Sequence, residues 1–134
     1  MVTIPGNHDL YLPDTVRDDR FAKYFGKWCT TDRPDLASDD GWPLVRLFGD
    51  DVAVISIASA RPNPAPWRSA GRIPDAQLRA LQRIIVDAEV SSRFAIVITH
   101  YAPRLWNGRP DAVLHGLENA EDFRVAKDMG IACG

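Results

Sequence analysis

From Phe94 to Thr99 the chain reads Phe-Ala-Ile-Val-Ile-Thr, a run without a single charge and with the length of a strand. A run this uniformly apolar predicts a buried central strand, covered on both faces. The cover is legible just upstream. Between Asp75 and Glu89, the residues Leu78, Leu81, Ile84, Ile85 and Ala88 fall at helical spacing and form one apolar stripe. Two more strand-like runs precede it, Leu44 to Phe48 and Val52 to Ser59, separated by Gly49-Asp50-Asp51. That tripeptide suits a tight turn, so the two runs predict a hairpin. A hairpin, a helix and a buried strand in this order predict an α/β chain with a mixed sheet.

The flanks are read in the same way. Val2-Thr3-Ile4 predicts a short strand stopped by Pro5-Gly6. A helix is expected from Val16 to Phe25, with Phe21, Tyr24 and Phe25 on one face. Thr30 to Gly41 and Arg61 to Gly71 read as loops; Pro62, Pro64, Pro66 and Pro74 exclude a helix through the second. A long loop, Tyr101 to Leu117, leads to a last helix with Asn119 as N-cap and Gly130 as the residue that ends it. The final residues, Gly130-Ile131-Ala132-Cys133-Gly134, read as a strand cut off at its tip.

Size and charge exclude several functions. At 134 residues the chain is one domain at most, and its formal net charge is -2. Neither nucleic acid nor an anionic membrane is an expected partner of such a surface. The longest apolar run, Val52 to Ala58, is too short to cross a bilayer. Cys29 and Cys133 form no C-x-x-C and no disulfide framework, which suits reduced thiols in a cytoplasmic protein.

Two histidine motifs stand where open α/β sheets bind ligands, beyond strand ends. The first is Gly6-Asn7-His8-Asp9. Asn7 offers a neutral carbonyl oxygen to a divalent metal. His8 can give a proton or hydrogen bond to a phosphoryl oxygen, and Asp9 can hold that imidazole in one tautomer. Gly6 permits a sharp turn close to a ligand. The second is Thr99-His100-Tyr101-Ala102-Pro103, directly after the uncharged run. Taken alone, each motif also fits a polar turn or a structural histidine.

Gly-Asn-His-Asp followed by a strand ending in His-x-x-Pro resembles the calcineurin-like metallophosphoesterases, and the resemblance covers most of the chain. The Gln77-Leu78 helix and the segment Leu114-His115-Gly116-Leu117 are similar to the cyclic-nucleotide-phosphodiesterase-like branch. The resemblance implies an α/β/β/α sandwich and hydrolysis of phosphate mono- or diesters of small molecules. Two divalent ions, Mn, Fe, Zn or Mg, would lower the pKa of bound water and neutralise charge on the phosphoryl oxygens. It assigns Asn7 and His100 to the second metal and His8 to the phosphate and leaving group. His115 matches no core motif and is either a substrate-side residue or a surface histidine.

The family's Asp-x-His and Gly-His-x-His are absent. Gly49-Asp50-Asp51-Val52-Ala53 has alanine where Gly-Asp-x-x-Asp needs its second aspartate. The expectation is therefore a single partial domain over 1–134, an incomplete sandwich cut at both ends, whose own activity is weak or nil. The alternatives are a non-catalytic remnant or interaction module that keeps the middle of the fold, and a site completed by carboxylates from a partner chain.

Overall fold

The computed structural model describes residues 1–10, 12–63, 65, 67–111 and 115–131, the last five by their backbone alone. Helices and strands alternate around a three-stranded mixed sheet, so the fold is α/β. The hairpin forms as expected. Strand β1 (Leu44–Phe48) pairs antiparallel with β2 (Val52–Ile57), from Leu44 opposite Ser56 to Phe48 opposite Val52. Gly49 takes φ +58° in the turn, a conformation glycine adopts without a Cβ penalty. Strand β3 (Phe94–Thr99) lies parallel to β2, with Ile57 opposite Thr99, giving the order β1-β2-β3.

The crossover between β2 and β3 carries helix α4 (Asp75–Val86), which buries Leu78, Leu81 and Ile84. These meet Val45, Ala53, Ile55 and Ile57 of the sheet in one core, joined by Phe123 and Ala126 of helix α6 (Ala120–Ile131). The expected single helix from Asp75 to Glu89 breaks at Asp87. There the carboxylate accepts the backbone N–H groups of Glu89 (3.1 Å) and Val90 (3.3 Å) and starts a short helix, α5 (Ala88–Ser91). An aspartate that caps a new helix competes with continuing the old one. Ala88, the last residue of the expected stripe, is exposed in consequence.

Strand β3 is not the central strand its composition predicted. It is an edge strand, pairing only with β2 among the described residues, and Phe94 is 73% and Ile96 40% exposed. Composition reports what a strand could bury, whereas burial depends on a neighbour on each side.

The N-terminal region also departs from expectation. Val2 to Ile4 join no strand ladder among the described residues, and Asn7–Leu10 form a helical turn, α1. The expected helix from Val16 to Phe25 is two pieces, α2 (Pro13–Arg17) and α3 (Arg20–Phe25), parted where Asp19 adopts φ 45°. Only Phe21 of its predicted face is half-buried; Tyr24 and Phe25 are exposed. Phe25 instead stacks on Phe21 and meets Trp28 at a tilt, with centroids 5.4 and 5.9 Å away.

The loops Thr30–Gly41, Arg61–Gly71 and Tyr101–Leu117 hold no α-helix or ladder strand among the described residues; Pro64, Pro66 and Leu114 lie outside them. Asn119 stands just before α6 but spends its side chain elsewhere. It accepts from Ile73 N–H (3.0 Å) and donates to Ile73 C=O (2.9 Å), pinning the start of α6 to the residues before α4. Helix α6 runs through Gly130 to Ile131, so that glycine does not end it. Glycine is permitted inside a helix at a cost of about 1 kcal/mol. The expected strand from Ile131 starts in helix, and 132–134 lie outside the described residues. No described helix is long and apolar enough to cross a membrane. Cys29 is a free thiol whose partial burial raises its pKa, and Cys133 lies outside the described residues.

Candidate metal and phosphate site

Both histidine motifs come together, although 93 residues separate them. His100, one residue beyond β3, places Nε2 3.0 Å from Asn7 Oδ1, in the first turn of α1. With the proton on Nε2 the ring donates to the amide oxygen. With the proton on Nδ1 both atoms present lone pairs to the same space.

Gly6 makes this approach possible. A Cβ at Gly6 would stand 3.1 Å from His100 Cε1 and 3.3 Å from His100 Nδ1. The Gly6 N–H donates to Asp9 Oδ2 (2.8 Å) and its carbonyl accepts Asp9 N–H (3.2 Å), so Asp9 closes the turn that presents Asn7 and His8. This contact gives Asp9 a local structural role that the motif alone did not reveal.

The loop after β2 positions His100 from the other side. Buried Ser59 accepts from Thr99 Oγ1 (2.7 Å) and from the Tyr101 N–H (3.4 Å), bracketing the histidine. The Tyr101 ring meets His100 edge-on, with centroids 4.9 Å apart. It also lies against Gly71, where a Cβ would come within 2.1 Å of Tyr101 Cδ2. Gly71 is held by Gly116 C=O (3.0 Å) and by Glu118 N–H (2.9 Å) in a parallel bridge to the 116–118 segment. Ser59, Gly71 and Tyr101 therefore determine where His100 stands. Only Tyr101 belonged to a motif; a serine and a glycine in or beside a loop carry no separate signal in one sequence.

Asn7 and His8 line an open cleft of about 440 Å³ together with Leu12 and Ser69. Ser69 Oγ is 2.9 Å from His115 Nδ1, so His115 reaches the cleft through Ser69. Four of the five residues singled out in sequence, Asn7, His8, Asp9 and His100, thus form one neighbourhood, and His115 borders it. A larger hollow of about 550 Å³, lined by Arg72, Arg104, Glu118 and Asp122, holds none of them.

The Asn7 Oδ1 to His100 Nε2 distance suits a shared cation. Two ligands at about 2.1 Å from one ion, at right angles, stand about 3.0 Å apart. An amide oxygen and an imidazole together fit the borderline and harder divalent ions without choosing among them. Among the described residues, no group of three or more His, Cys, Asp or Glu side chains surrounds this pair. Two neutral ligands leave the charge of a dication uncompensated, so the pair holds it weakly. Compared with protein-family models, curated proteins and solved structures, the chain finds no match.

Proposed function

We propose that the chain carries part of the centre of a divalent-metal-dependent hydrolase of small phosphate mono- or diesters, on an incomplete sandwich of the metallophosphoesterase type. The observation that carries this reading is the 3.0 Å meeting of Asn7 Oδ1 and His100 Nε2, two atoms able to share one cation. When bound, the metal supplies activation of water and charge neutralisation at the phosphoryl group.

The chain's own residues do the rest. Asn7 and His100 would hold the cation. His8, on the cleft wall, donates a hydrogen bond to a phosphoryl oxygen and gives its proton to the leaving alkoxide. Asp9 and Gly6 hold the turn that aims both side chains. In a full-length protein, changing Asn7 and His8 together to Ala lowers phosphate-ester turnover by orders of magnitude; unchanged turnover refutes the assignment.

A second reading is a non-catalytic module that retains the fold's centre. It is favoured by the lack, among the described residues, of any group of three or more His, Cys, Asp or Glu side chains placed to hold a metal ion. The two readings part on cation binding at Asn7 and His100, which only the first requires.

A further inference from the structure

The cleft lined by Asn7, His8, Leu12 and Ser69 has one polar wall residue with no part in the hydrolase reading above, Ser69. Its Oγ stands 2.9 Å from Nδ1 of His115, 46 residues away in the chain. Other contacts impose this meeting. The Gly71 N–H donates to Gly116 C=O (3.0 Å), and its carbonyl accepts the Glu118 N–H (2.9 Å). The backbone just beyond Ser69 is thereby tied to the backbone just beyond His115 in a parallel bridge. Arg61 and Arg68 both donate to Glu118 and close the same two segments a second time. Gly71 also lies against the Tyr101 ring, which touches His100. One clamp therefore supports Ser69 and His115 on one side and His100 on the other.

A serine hydroxyl has a single hydrogen to give, and His115 decides where it goes. With Nδ1 bare, Ser69 donates to the ring and has only lone pairs left for the cleft. With a proton on Nδ1, the ring donates to Oγ, and the hydroxyl hydrogen is released for another acceptor. Anionic phosphoryl oxygens only accept, so they require the second arrangement. Protonating the ring leaves no other, because both nitrogens of an imidazolium are donors.

We infer that Ser69 contacts the phosphoryl group beside His8, and that His115 is a positioning residue that frees the Ser69 hydroxyl for this contact when its Nδ1 carries a proton. The inference rests on the proposed hydrolase reading for the identity of the anion, but the contact needs no metal. Histidine changes charge between about pH 5 and 8, so this part of the affinity is full at the acid end and declines as pH rises. The charged groups around the pair are Arg68 and Arg61, bonded to Glu118; His8 is the other titratable group on the cleft wall.

The test uses the whole chain with diphenyl phosphate and EDTA, followed by NMR between about pH 5.5 and 8, where the single charge of this diester is constant. At the acid end, Ser69→Ala weakens binding at least threefold, and adding His115→Ala to that variant weakens it less than 1.5-fold further, as expected of a residue that acts through another. His115→Asn keeps an N–H donor for Ser69 at every pH, so its affinity falls with pH less steeply than that of wild type; titration of His8 is common to both. Equal slopes, additive losses in the double variant, an undiminished affinity in Ser69→Ala, or no binding to wild type each overturn the inference. Failure of Mn²⁺ to bind wild type, with the Ser69→Ala and His115→Asn effects intact, sinks the hydrolase reading and leaves the Ser69 contact standing.

Discussion

At the scale of single residues, the site depends on side chains that are absent as much as on those present. Gly71 has no room for a Cβ: the Tyr101 ring and Ser59 C=O both lie within 2.7 Å of where one would be. Gly71→Ala therefore has to move Tyr101, which touches His100. Overpacking of this kind costs about 1–3 kcal/mol. Thermal unfolding of the variant should begin several degrees below wild type, and the His100 ring resonances should shift in NMR spectra. An unshifted His100 would show that Tyr101 does not set its position. Asn7, His8 and His100 were legible in the sequence because their chemistry and their places after short apolar runs coincide. Their partners Ser59, Ser69 and Gly71 were not, because a hydroxyl or a missing side chain acquires meaning only from what the fold brings opposite it.

At the scale of elements, the hairpin, α4 and the apolar stripe followed from periodicity and turn chemistry, which act locally. The errors fall where a distant residue decides. Helix α4 ends early because Asp87 caps α5 and is gripped by Arg33, 54 residues away, through bonds of 2.6 and 2.9 Å. The Arg33 hydrogen bonds, against an opposing effect of burial, hold the Asp87 carboxyl below its ordinary value of 3.8. Asp40 is a second case. Burial alone would raise its pKa, but hydrogen bonds from Ser38, the Trp42 N–H and Gln77 outweigh it and lower it. A carboxyl lowered on folding contributes stability that is full above its unfolded pKa and disappears as pH falls through the folded one. The urea midpoint should accordingly fall below about pH 4. Arg33→Ala should flatten that fall while lowering the midpoint at neutral pH. An acid limb equally steep in the variant would place the dependence on other groups.

At the scale of the whole molecule, β3 gives the sheet an exposed apolar edge among the described residues. Phe94 and Ile96 of β3 face solvent, and the strand's outer ladder groups have no strand partner among the described residues. An open apolar edge favours pairing with another chain. Phe94→Lys should reduce concentration-dependent association seen by light scattering, while changing stability by no more than about 0.5 kcal/mol, as at other exposed sites. Unaltered association would show that the edge is not the adhesive surface. The same edge explains why the α/β class was readable and the place of β3 in the sheet was not: the sequence records each strand's composition, but not which neighbours it acquires.

The central claim is that Asn7 and His100 together receive a divalent cation. Paramagnetic broadening by Mn²⁺, followed residue by residue in NMR spectra of the chain, tests it most directly because it registers weak binding. Selective broadening of the His100 ring and the Asn7 side-chain amide, at least tenfold weaker in Asn7→Ala, is the predicted result. Broadening that spares both residues, or that is unchanged in Asn7→Ala, would contradict the assignment and leave the non-catalytic module as the reading of this fold.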